Sequence, residues 1–223
     1  MLIRQQERAI SKAKTTSPHK RSGPAYAGRR IGLLGGSFNP AHAGHLAISL
    51  YALKRLQLDQ IWWLVSPQNP LKSAKGMASL ADRVASAETL AAHPRILVTS
   101  IESELGTRYT VDTLKRLKQR FPRTDFVWLM GSDNLRQAHR WRRWQTLFES
   151  VPVAVFRRPA YVGGRGCGKA AQRFDRSFKP ASFGKKLAGM KAPVWLMLDN
   201  PLQHYSATEI RKDRRTWPKA RKR

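Results

Sequence analysis

Residues 31–46 of the chain read Ile-Gly-Leu-Leu-Gly-Gly-Ser-Phe-Asn-Pro-Ala-His-Ala-Gly-His-Leu. The first four residues are mostly apolar, and leucines recur at helical spacing over residues 46–56. This order predicts a strand, a glycine-containing turn and a helix. Because the first turn of a helix has unpaired N–H groups and the positive end of the helix dipole, it attracts phosphate. His42 and His45 fall where the turn becomes the helix, so both imidazoles can point at one phosphate chain.

The string GSFNPAHAGHL at residues 36–46 resembles the phosphate-binding signature of nucleotidyltransferases with an HxGH motif. Within that group it is most similar to the bacterial nicotinate-nucleotide adenylyltransferases. The resemblance implies that His42 and His45 are catalytic. It also implies that four preceding residues bind ATP or its phosphates, namely Gly35, Gly36, Ser37 and Phe38. Taken alone, the two histidines could instead cap a helix or fill a core.

Further short apolar runs alternate with helical patterns along the chain. They predict strands at residues 61–65, 96–98, 126–130, 151–156 and 194–198. Alternating strands and helices favour a parallel sheet with right-handed crossovers, which binds ligands at the carboxyl ends of its strands. We therefore expect an α/β protein with a Rossmann-like, doubly wound parallel sheet, built as a single domain with basic flexible extensions.

The formal net charge of +28 is concentrated in three segments, which carry +7 over residues 1–30, +9 over 157–192 and +7 over 211–223. We expect a flexible basic extension at 1–29, a nucleotidyltransferase domain at 30–211 and a basic tail at 212–223. Residues 157–192 are expected to form a basic, glycine-rich insertion. The tails could bind nucleic acid nonspecifically, but charge alone does not identify a partner.

One glycine-rich segment, GGRGCGKA at residues 163–170, nearly matches the P-loop pattern GxxxxGK[ST]. Ala170 stands where the magnesium-binding hydroxyl would be, and the segment does not directly follow a predicted strand. We therefore interpret it as a flexible linker.

A second phosphate signature lies near the end of the chain. Residues 206–211, SATEIR, resemble the family's SSTxIR motif. The resemblance implies that Ser206 and Thr208 bind ATP and that Arg211 is catalytic, although the hydroxyls could merely cap a helix. Ala207 replaces the family's second serine, so a hydroxyl contact from that position is absent.

Residues 131–135, GSDNL, resemble the family's GxDxL motif beside the adenosine. The resemblance implies that Gly131 and Asp133 bind ATP, although Asp133 could instead cap the following helix. Lys72 and Arg83 match basic positions that face the phosphates in the family, although each alone could be a solvated surface charge.

Two segments resemble the family's acceptor site. Tyr109 and Thr110 match the YTxDTL segment that recognises the nicotinate end, and Trp141 matches the position that stacks on the pyridine ring. A tryptophan at helical spacing can equally be a core residue. Nicotinate carries one more negative charge than nicotinamide, so donors near the ring would favour the acid.

The resemblance implies adenylyl transfer from ATP to nicotinate mononucleotide, giving deamido-NAD and pyrophosphate in NAD biosynthesis. It implies no covalent enzyme intermediate, and Mg²⁺ bound through the nucleotide phosphates. The alternatives are an adenylyltransferase for nicotinamide mononucleotide or phosphopantetheine, and a basic nucleic-acid-binding protein. The single cysteine, Cys167, excludes an intramolecular disulfide, and no apolar run is long enough to span a bilayer, so we expect a cytoplasmic enzyme without a membrane partner.

Overall fold

The computed structural model describes residues 23–67, 76–157 and 168–199. The strands in this part of the chain are β1 (Arg30–Gly36), β2 (Gln60–Val65), β3 (Ile96–Thr99), β4 (Asp125–Gly131), β5 (Val153–Phe156), β6 (Phe178–Lys179) and β7 (Trp195–Leu198). The α-helices are α1 (Ala43–Arg55), α2 (Leu80–Leu90), α3 (Ile101–Glu104), α4 (Thr110–Arg120), α5 (Ser132–Gln137), α6 (Trp144–Ser150) and α7 (Lys169–Arg173). Short 3₁₀ segments occupy Gly23–Tyr26, Ala138–Arg140, Asp175–Ser177 and Ala181–Gly189.

The described strands form one parallel sheet in the order β3-β2-β1-β4-β5-β7-β6. The order of the chain reverses between β1 and β4, which lie side by side at the centre. In sheets of this kind, ligands bind in the crevice at the carboxyl ends of the strands where the order reverses. The predicted doubly wound, Rossmann-like fold is therefore confirmed.

Both faces of the sheet are buried, which explains why its strands are continuous apolar runs instead of alternating patterns. Successive side chains point to opposite faces, so Trp62 belongs to one core and Trp63 to the other. The helices α4, α5, α6 and α7 cover the face of Trp62, while α1, α2 and the 3₁₀ segment Ala181–Gly189 cover the face of Trp63.

Helix α4 shows how sequence determines one of these layers. Val111, Leu114 and Leu117 recur every three residues and are buried, whereas the intervening Lys and Arg side chains are exposed. The helix ends at Arg120, and Phe121 is its C-terminal cap, because Pro122 follows and disfavours helical geometry in the residue before it.

Tyr26 precedes the expected domain start at residue 30 but packs with the folded domain. Its side chain is 6% exposed and packs edge-on against Trp62 and Phe121, with ring centroids 5.1 and 5.5 Å apart. The hydroxyl of Thr124 donates to the Tyr26 carbonyl over 2.8 Å. A chain beginning at residue 29 would lose these core contacts. Tyr26 was missed from the sequence because it is one aromatic residue within a basic, polar segment.

The described residues of the expected insertion at 157–192 form short helical segments and one two-residue strand that pack into the domain. Helix α7 begins immediately after Gly168, whose φ of +101° favours glycine, so residues 168–170 are not a linker. Strand β6 adds to β7, and Leu187 is fully buried. Sequence periodicity missed β6 because it has two residues. None of the helices in residues 23–67, 76–157 and 168–199 is long and apolar enough to cross a membrane.

Candidate active site

A cavity of about 520 Å³ opens at the carboxyl ends of the central strands. Its walls come from the ends of β1, β2 and β4 and from the loops around α3, α4 and α5. Seven of the residues predicted for the site line it: Gly35, Gly36, Ser37, Tyr109, Thr110, Asp133 and Trp141. The fold thus brings together segments that lie about a hundred residues apart in the chain. Lys72, Ser206, Thr208 and Arg211 lie outside the described residues.

The glycine at the end of β1 is required by an aromatic neighbour. A Cβ atom at Gly35 would lie 2.6 Å from Cη2 of Trp128, whose ring comes from the adjacent strand β4. No carbon can approach that closely, so a side chain at this position would displace the indole from the cavity wall. Gly35 therefore has two effects on the cavity: it leaves room for the Trp128 ring in the wall, and it exposes the backbone of residue 35.

His42 and His45 form a pair at the start of α1. Their ring centroids are 3.8 Å apart, and His42 is 6% exposed while His45 is half-buried. The Nδ1 atom of His45 accepts a hydrogen bond from the backbone N–H of His42 over 3.1 Å. This bond assigns the proton of a neutral His45 to Nε2, so Nε2–H is the group available to donate to a phosphate oxygen.

A layer of packed side chains fixes the position of His45. Its ring lies 4.7 Å from that of Phe38, which stacks on Trp63 at 5.1 Å and 18°. The hydroxyl of Ser49 donates to the His45 carbonyl over 2.8 Å and accepts from the Trp63 indole N–H over 2.8 Å. The Phe38 side chain is 2% exposed and lies in this layer, so the predicted ATP contact of Phe38 is confined to its backbone.

Arg83 is buried, with 1% of its surface exposed, and it does not line the cavity. Its Nη1 donates to the carbonyls of Ser37 and Ser66 over 2.7 Å each. Its Nη2 donates to the Pro67 carbonyl over 2.9 Å, and its Nε to the Ala78 carbonyl over 3.1 Å. Burial lowers the pKa of the guanidinium. The expectation of a solvated surface charge is therefore wrong, and the donors of Arg83 tie the turn after β1 to the loop after β2.

The buried side chain of Asn39 gives the phosphate turn a second anchor. Its Oδ1 accepts from the backbone N–H of Ala78 over 3.2 Å, and its Nδ2 donates to the Gly76 carbonyl over 3.4 Å. The turn that carries Ser37 is thus held at two points: the remote Arg83 bonds its backbone, and its own Asn39 bonds the backbone of the remote Gly76 and Ala78.

At the other end of the cavity, Tyr109 caps the start of α4 and carries a cation over its ring. The guanidinium carbon of Arg142 lies 4.7 Å from the ring centroid, within the range of a cation–π contact. Trp141 packs edge-on against Trp128, with centroids 6.5 Å apart, and leaves part of its surface in the cavity. Trp144, in contrast, packs against Phe148 and Phe174 at the edge of the core and does not line the cavity.

The end of β4 contributes through the residues after its glycine. Gly131 is buried in the sheet opposite Phe156 and does not line the cavity. Asp133 and Asn134 do line it from the first turn of α5. The ATP contact of Gly131 stays a prediction, whereas Asp133 has the access to the cavity that an adenosine contact requires.

Two buried polar atoms in the cavity wall have no hydrogen-bond partner among the described residues. They are the hydroxyl oxygen of Ser37 and the indole nitrogen of Trp128. Buried polar atoms are nearly always paired, so two unpaired ones in one wall are typical of a ligand site. Trp128 was missed from the sequence because an aromatic residue within a strand normally indicates core.

The charge of the cavity wall was also missed. Arg108, Arg140 and Arg142 line it, against the carboxyl groups of Glu102 and Asp133. The available signal was the position of these arginines, directly beside Tyr109 and Trp141. An excess of positive charge in a concave site attracts anionic ligands. Within the part of the chain that the structure describes, no group of three or more His, Cys, Asp or Glu side chains could hold a metal ion.

This combination of a switch-point cavity, a glycine turn and a histidine pair at a helix start is that of a nucleotidyltransferase. Residues 33–213 match the family model described as cytidylyltransferase-like. The chain is 51% identical over 184 residues to a protein of Parvibaculum lavamentivorans named "Probable nicotinate-nucleotide adenylyltransferase", covering 82% of this chain and 92% of that one. It is 51% identical over 182 residues to one of the same name from Gluconobacter oxydans, covering 82% and 93%. The chain belongs to the nicotinate-nucleotide adenylyltransferase family.

The fold has a solved counterpart. A Plasmodium falciparum nicotinic acid mononucleotide adenylyltransferase, complexed with NaAD, superposes with a TM-score of 0.64 at 18% identity, over 82% of this chain and 83% of that one. At that identity the likeness supports the Rossmann-like fold alone.

Proposed function

We propose that this enzyme transfers the adenylyl group of ATP to nicotinate mononucleotide within the cavity at the end of β1 and β4. One observation carries the proposal: a single cavity joins the phosphate turn, at Gly36 and Ser37, to the residues of the pyridine end, at Tyr109 and Trp141. Two relatives that are each 51% identical to this chain share a name that describes the same reaction, which supports the proposal.

In this reaction an oxygen of the mononucleotide phosphate attacks the α-phosphorus of ATP. The new P–O bond forms as the bond between the α-phosphorus and its bridging oxygen to the β-phosphorus breaks, and pyrophosphate leaves with that electron pair. The protein has to hold two anions in line and stabilise the charge that develops on their oxygens. We assign this work to His45 Nε2–H, to the first N–H groups of α1, and to Arg211 beyond the described residues.

The remaining predicted contacts follow from the same arrangement. We assign Ser37, Lys72, Ser206 and Thr208 to the phosphates of ATP, and Asp133 to its ribose. His42 supports His45 through its backbone N–H and can contact the same phosphates. We propose that Mg²⁺ enters as the complex with ATP, because the phosphate oxygens are the hard ligands that it prefers. A cytoplasmic location remains a prediction from the sequence.

The charge of the cavity favours nicotinate over nicotinamide as the acceptor ring. Arg142 is placed for this choice because it is held over Tyr109 and directly follows Trp141 in the chain. A guanidinium bonds a carboxylate with two parallel donors, whereas the amide of nicotinamide offers no negative charge.

We therefore expect Arg142→Gln to reduce the preference for nicotinate mononucleotide over nicotinamide mononucleotide by about tenfold, the scale of one charge-assisted hydrogen bond. The measurement is kcat/KM for both acceptors at saturating ATP. Arg143→Gln is the matched control, because Arg143 is the next residue but pairs with Asp112 at 3.9 Å and does not line the cavity. An unchanged preference in Arg142→Gln would assign the discrimination to other groups.

Trp141→Ala is expected to raise the KM for nicotinate mononucleotide by about tenfold while changing the KM for ATP little, since one stacked ring contributes about 1–3 kcal/mol. Steady-state kinetics with each substrate varied in turn give the two constants. Trp144→Ala is the control, because that ring packs against the core without lining the cavity, so its loss should lower the melting temperature instead. If Trp141→Ala lowers the melting temperature but leaves the KM values for nicotinate mononucleotide and ATP unchanged, Trp141 is a core residue.

The acceptor itself is tested by supplying ATP and Mg²⁺ with nicotinate mononucleotide, nicotinamide mononucleotide or phosphopantetheine in parallel. We expect kcat/KM to be highest for nicotinate mononucleotide. A higher value for either of the other two acceptors would overturn the assignment of the substrate while leaving the class of reaction intact.

A further inference from the structure

A chain of polar contacts joins the phosphate turn to the acceptor turn beneath the cavity. Arg83 bonds the carbonyls of Ser37 and Ser66, as described above. The hydroxyl of Ser66 bonds the carboxyl group of Glu102, and the hydroxyl of Thr113 lies 3.2 Å from Oε1 of the same group. Glu102 is 7% exposed, lines the cavity and bonds both of these hydroxyls.

The contacts of Thr113 connect Glu102 to the acceptor turn. The Thr113 hydroxyl also lies 3.3 Å from the carbonyl of Tyr109 and 2.9 Å from the hydroxyl of Thr107. A hydroxyl has one proton to donate. When Glu102 is ionised, Thr113 donates to the carboxylate. When Glu102 is protonated, the carboxyl group can donate to Thr113, which frees the Thr113 proton for the Tyr109 carbonyl.

The main chain strengthens the same connection. The backbone N–H of Thr107 donates to the Glu102 carbonyl over 2.9 Å, which closes the loop between α3 and the start of α4. Glu102 thus holds this loop through its backbone and α4 through its side chain.

We propose that Glu102 is a positioning residue for the acceptor: its carboxyl group fixes the turn at Tyr109, and its charge state sets how well the cavity receives an anionic mononucleotide. The inference rests on the proposed function, since it concerns the acceptor of that reaction. Neither composition nor the motifs assigned a role to Glu102.

The charge state of Glu102 changes near neutral pH. Burial raises the pKa of its carboxyl group to about 7, against the hydrogen bonds from Thr113 and Ser66, which lower it. The other charged groups of the cavity are Arg108, Arg140, Arg142 and Asp133. Strand β2, which packs against α3, carries no ionisable side chain, and Asp112 of α4 is paired with Arg143.

The direction of the effect follows from these charges. Below about pH 7 the carboxyl group is neutral, and above it a negative charge faces the acceptor. The KM for nicotinate mononucleotide should therefore rise by about fivefold between pH 6 and pH 8, the scale of one partly screened charge interaction. By linkage, an anionic acceptor holds the proton on Glu102, so its binding near pH 7.5 should take up a fraction of a proton.

The test compares the pH profile of acceptor KM in the wild type and in Glu102→Gln, which keeps the shape and a hydrogen-bond acceptor but cannot titrate. The phosphate of the substrate titrates equally with both proteins, so the ratio of the two KM values isolates the effect of Glu102. We expect the wild-type KM to rise relative to that of Glu102→Gln as the pH increases from 6 to 8. Glu104→Gln is the matched control, because Glu104 is exposed on the same short helix and does not line the cavity.

Thr113→Val adds a readout that loss of packing alone would not produce. It removes a hydroxyl that stabilises the ionised carboxylate, so the midpoint of the pH profile should move upward. Identical profiles for the wild type and Glu102→Gln would overturn the proposal. Should Glu102→Gln fail to fold, an unmoved midpoint in Thr113→Val would overturn it instead.

Calorimetry in two buffers of different ionisation enthalpy measures proton uptake on acceptor binding without any turnover. Uptake in the wild type that is absent in Glu102→Gln supports the role of Glu102, and equal uptake contradicts it. A wild-type protein that neither binds nor converts nicotinate mononucleotide at any pH would refute the proposed function itself, which is a different outcome.

Discussion

Replacing His45 with alanine is expected to leave the protein folded and to reduce kcat by about 10²-fold or more, the effect of removing one preorganised donor from a developing charge. The reason is the fixed direction of Nε2–H, which follows from the hydrogen bond that Nδ1 accepts from His42. The layer of Phe38 and Trp63 below the ring remains in the variant, so the start of α1 should keep its position. Steady-state turnover and the melting temperature are the two measurements.

Two further variants separate the donor from the structural bond. The amide of His45→Asn can still accept from the backbone N–H of His42 but places no donor at the position of Nε2. The amide of His45→Gln extends to that position and can donate there. We therefore expect His45→Asn to be as slow as His45→Ala and His45→Gln to recover part of the turnover. Near-normal turnover in a folded His45→Ala protein would rule out the assigned role.

Arg83→Met is expected to destabilise the protein by about 3–5 kcal/mol, because it leaves one buried and three partly buried hydrogen bonds to carbonyls without their donor. The residues concerned are Ser37, Ser66, Pro67 and Ala78. For a domain of this size such a loss lowers the melting temperature by about 10 °C or more. Arg83→Lys keeps a charge, but a single ammonium cannot reach all four carbonyls. Its stability should therefore lie between those of the wild type and Arg83→Met. Thermal or denaturant unfolding gives the comparison.

Arg116→Met supplies the control for Arg83, because Arg116 is an exposed arginine on α4 and should change stability by no more than about 0.5 kcal/mol. Equal stability of Arg83→Met and Arg116→Met would mean that the carbonyls find other donors. The account of the loop anchors would then be wrong.

The parts of the site that could be predicted are those in which one short stretch of sequence both forms the local structure and places it at the carboxyl edge of the sheet. The string from Gly35 to His45 carries strand, turn and helix start in one stretch, so its place at the carboxyl edge of the sheet followed from local rules. The same holds for Asp133 and Tyr109, each of which opens a helix at that edge. Trp141 was placed by resemblance, and its partly buried position in the cavity agrees with that placement.

The residues that were missed act across long separations. Arg83 reaches Ser37, which is 46 positions away, and nothing near either residue in sequence indicates that contact. In the sequence, Trp128 looks like any core aromatic residue in a strand, and only its contact with Gly35 in the folded sheet indicates its place in the cavity wall. Tyr26 lies among basic and polar residues, and only its contacts with Trp62 and Phe121 show that it belongs to the core. Such pairings depend on the completed sheet, which periodicity cannot supply.

Transfer of a labelled phosphate group tests the central claim most directly. The protein is incubated with Mg²⁺, nicotinate mononucleotide and ATP labelled at either the α- or the γ-phosphorus, and the products are separated. Adenylyl transfer predicts that the α-label appears in deamido-NAD and the γ-label in pyrophosphate. A γ-label found on the mononucleotide, or no dinucleotide at any acceptor concentration, would contradict the account.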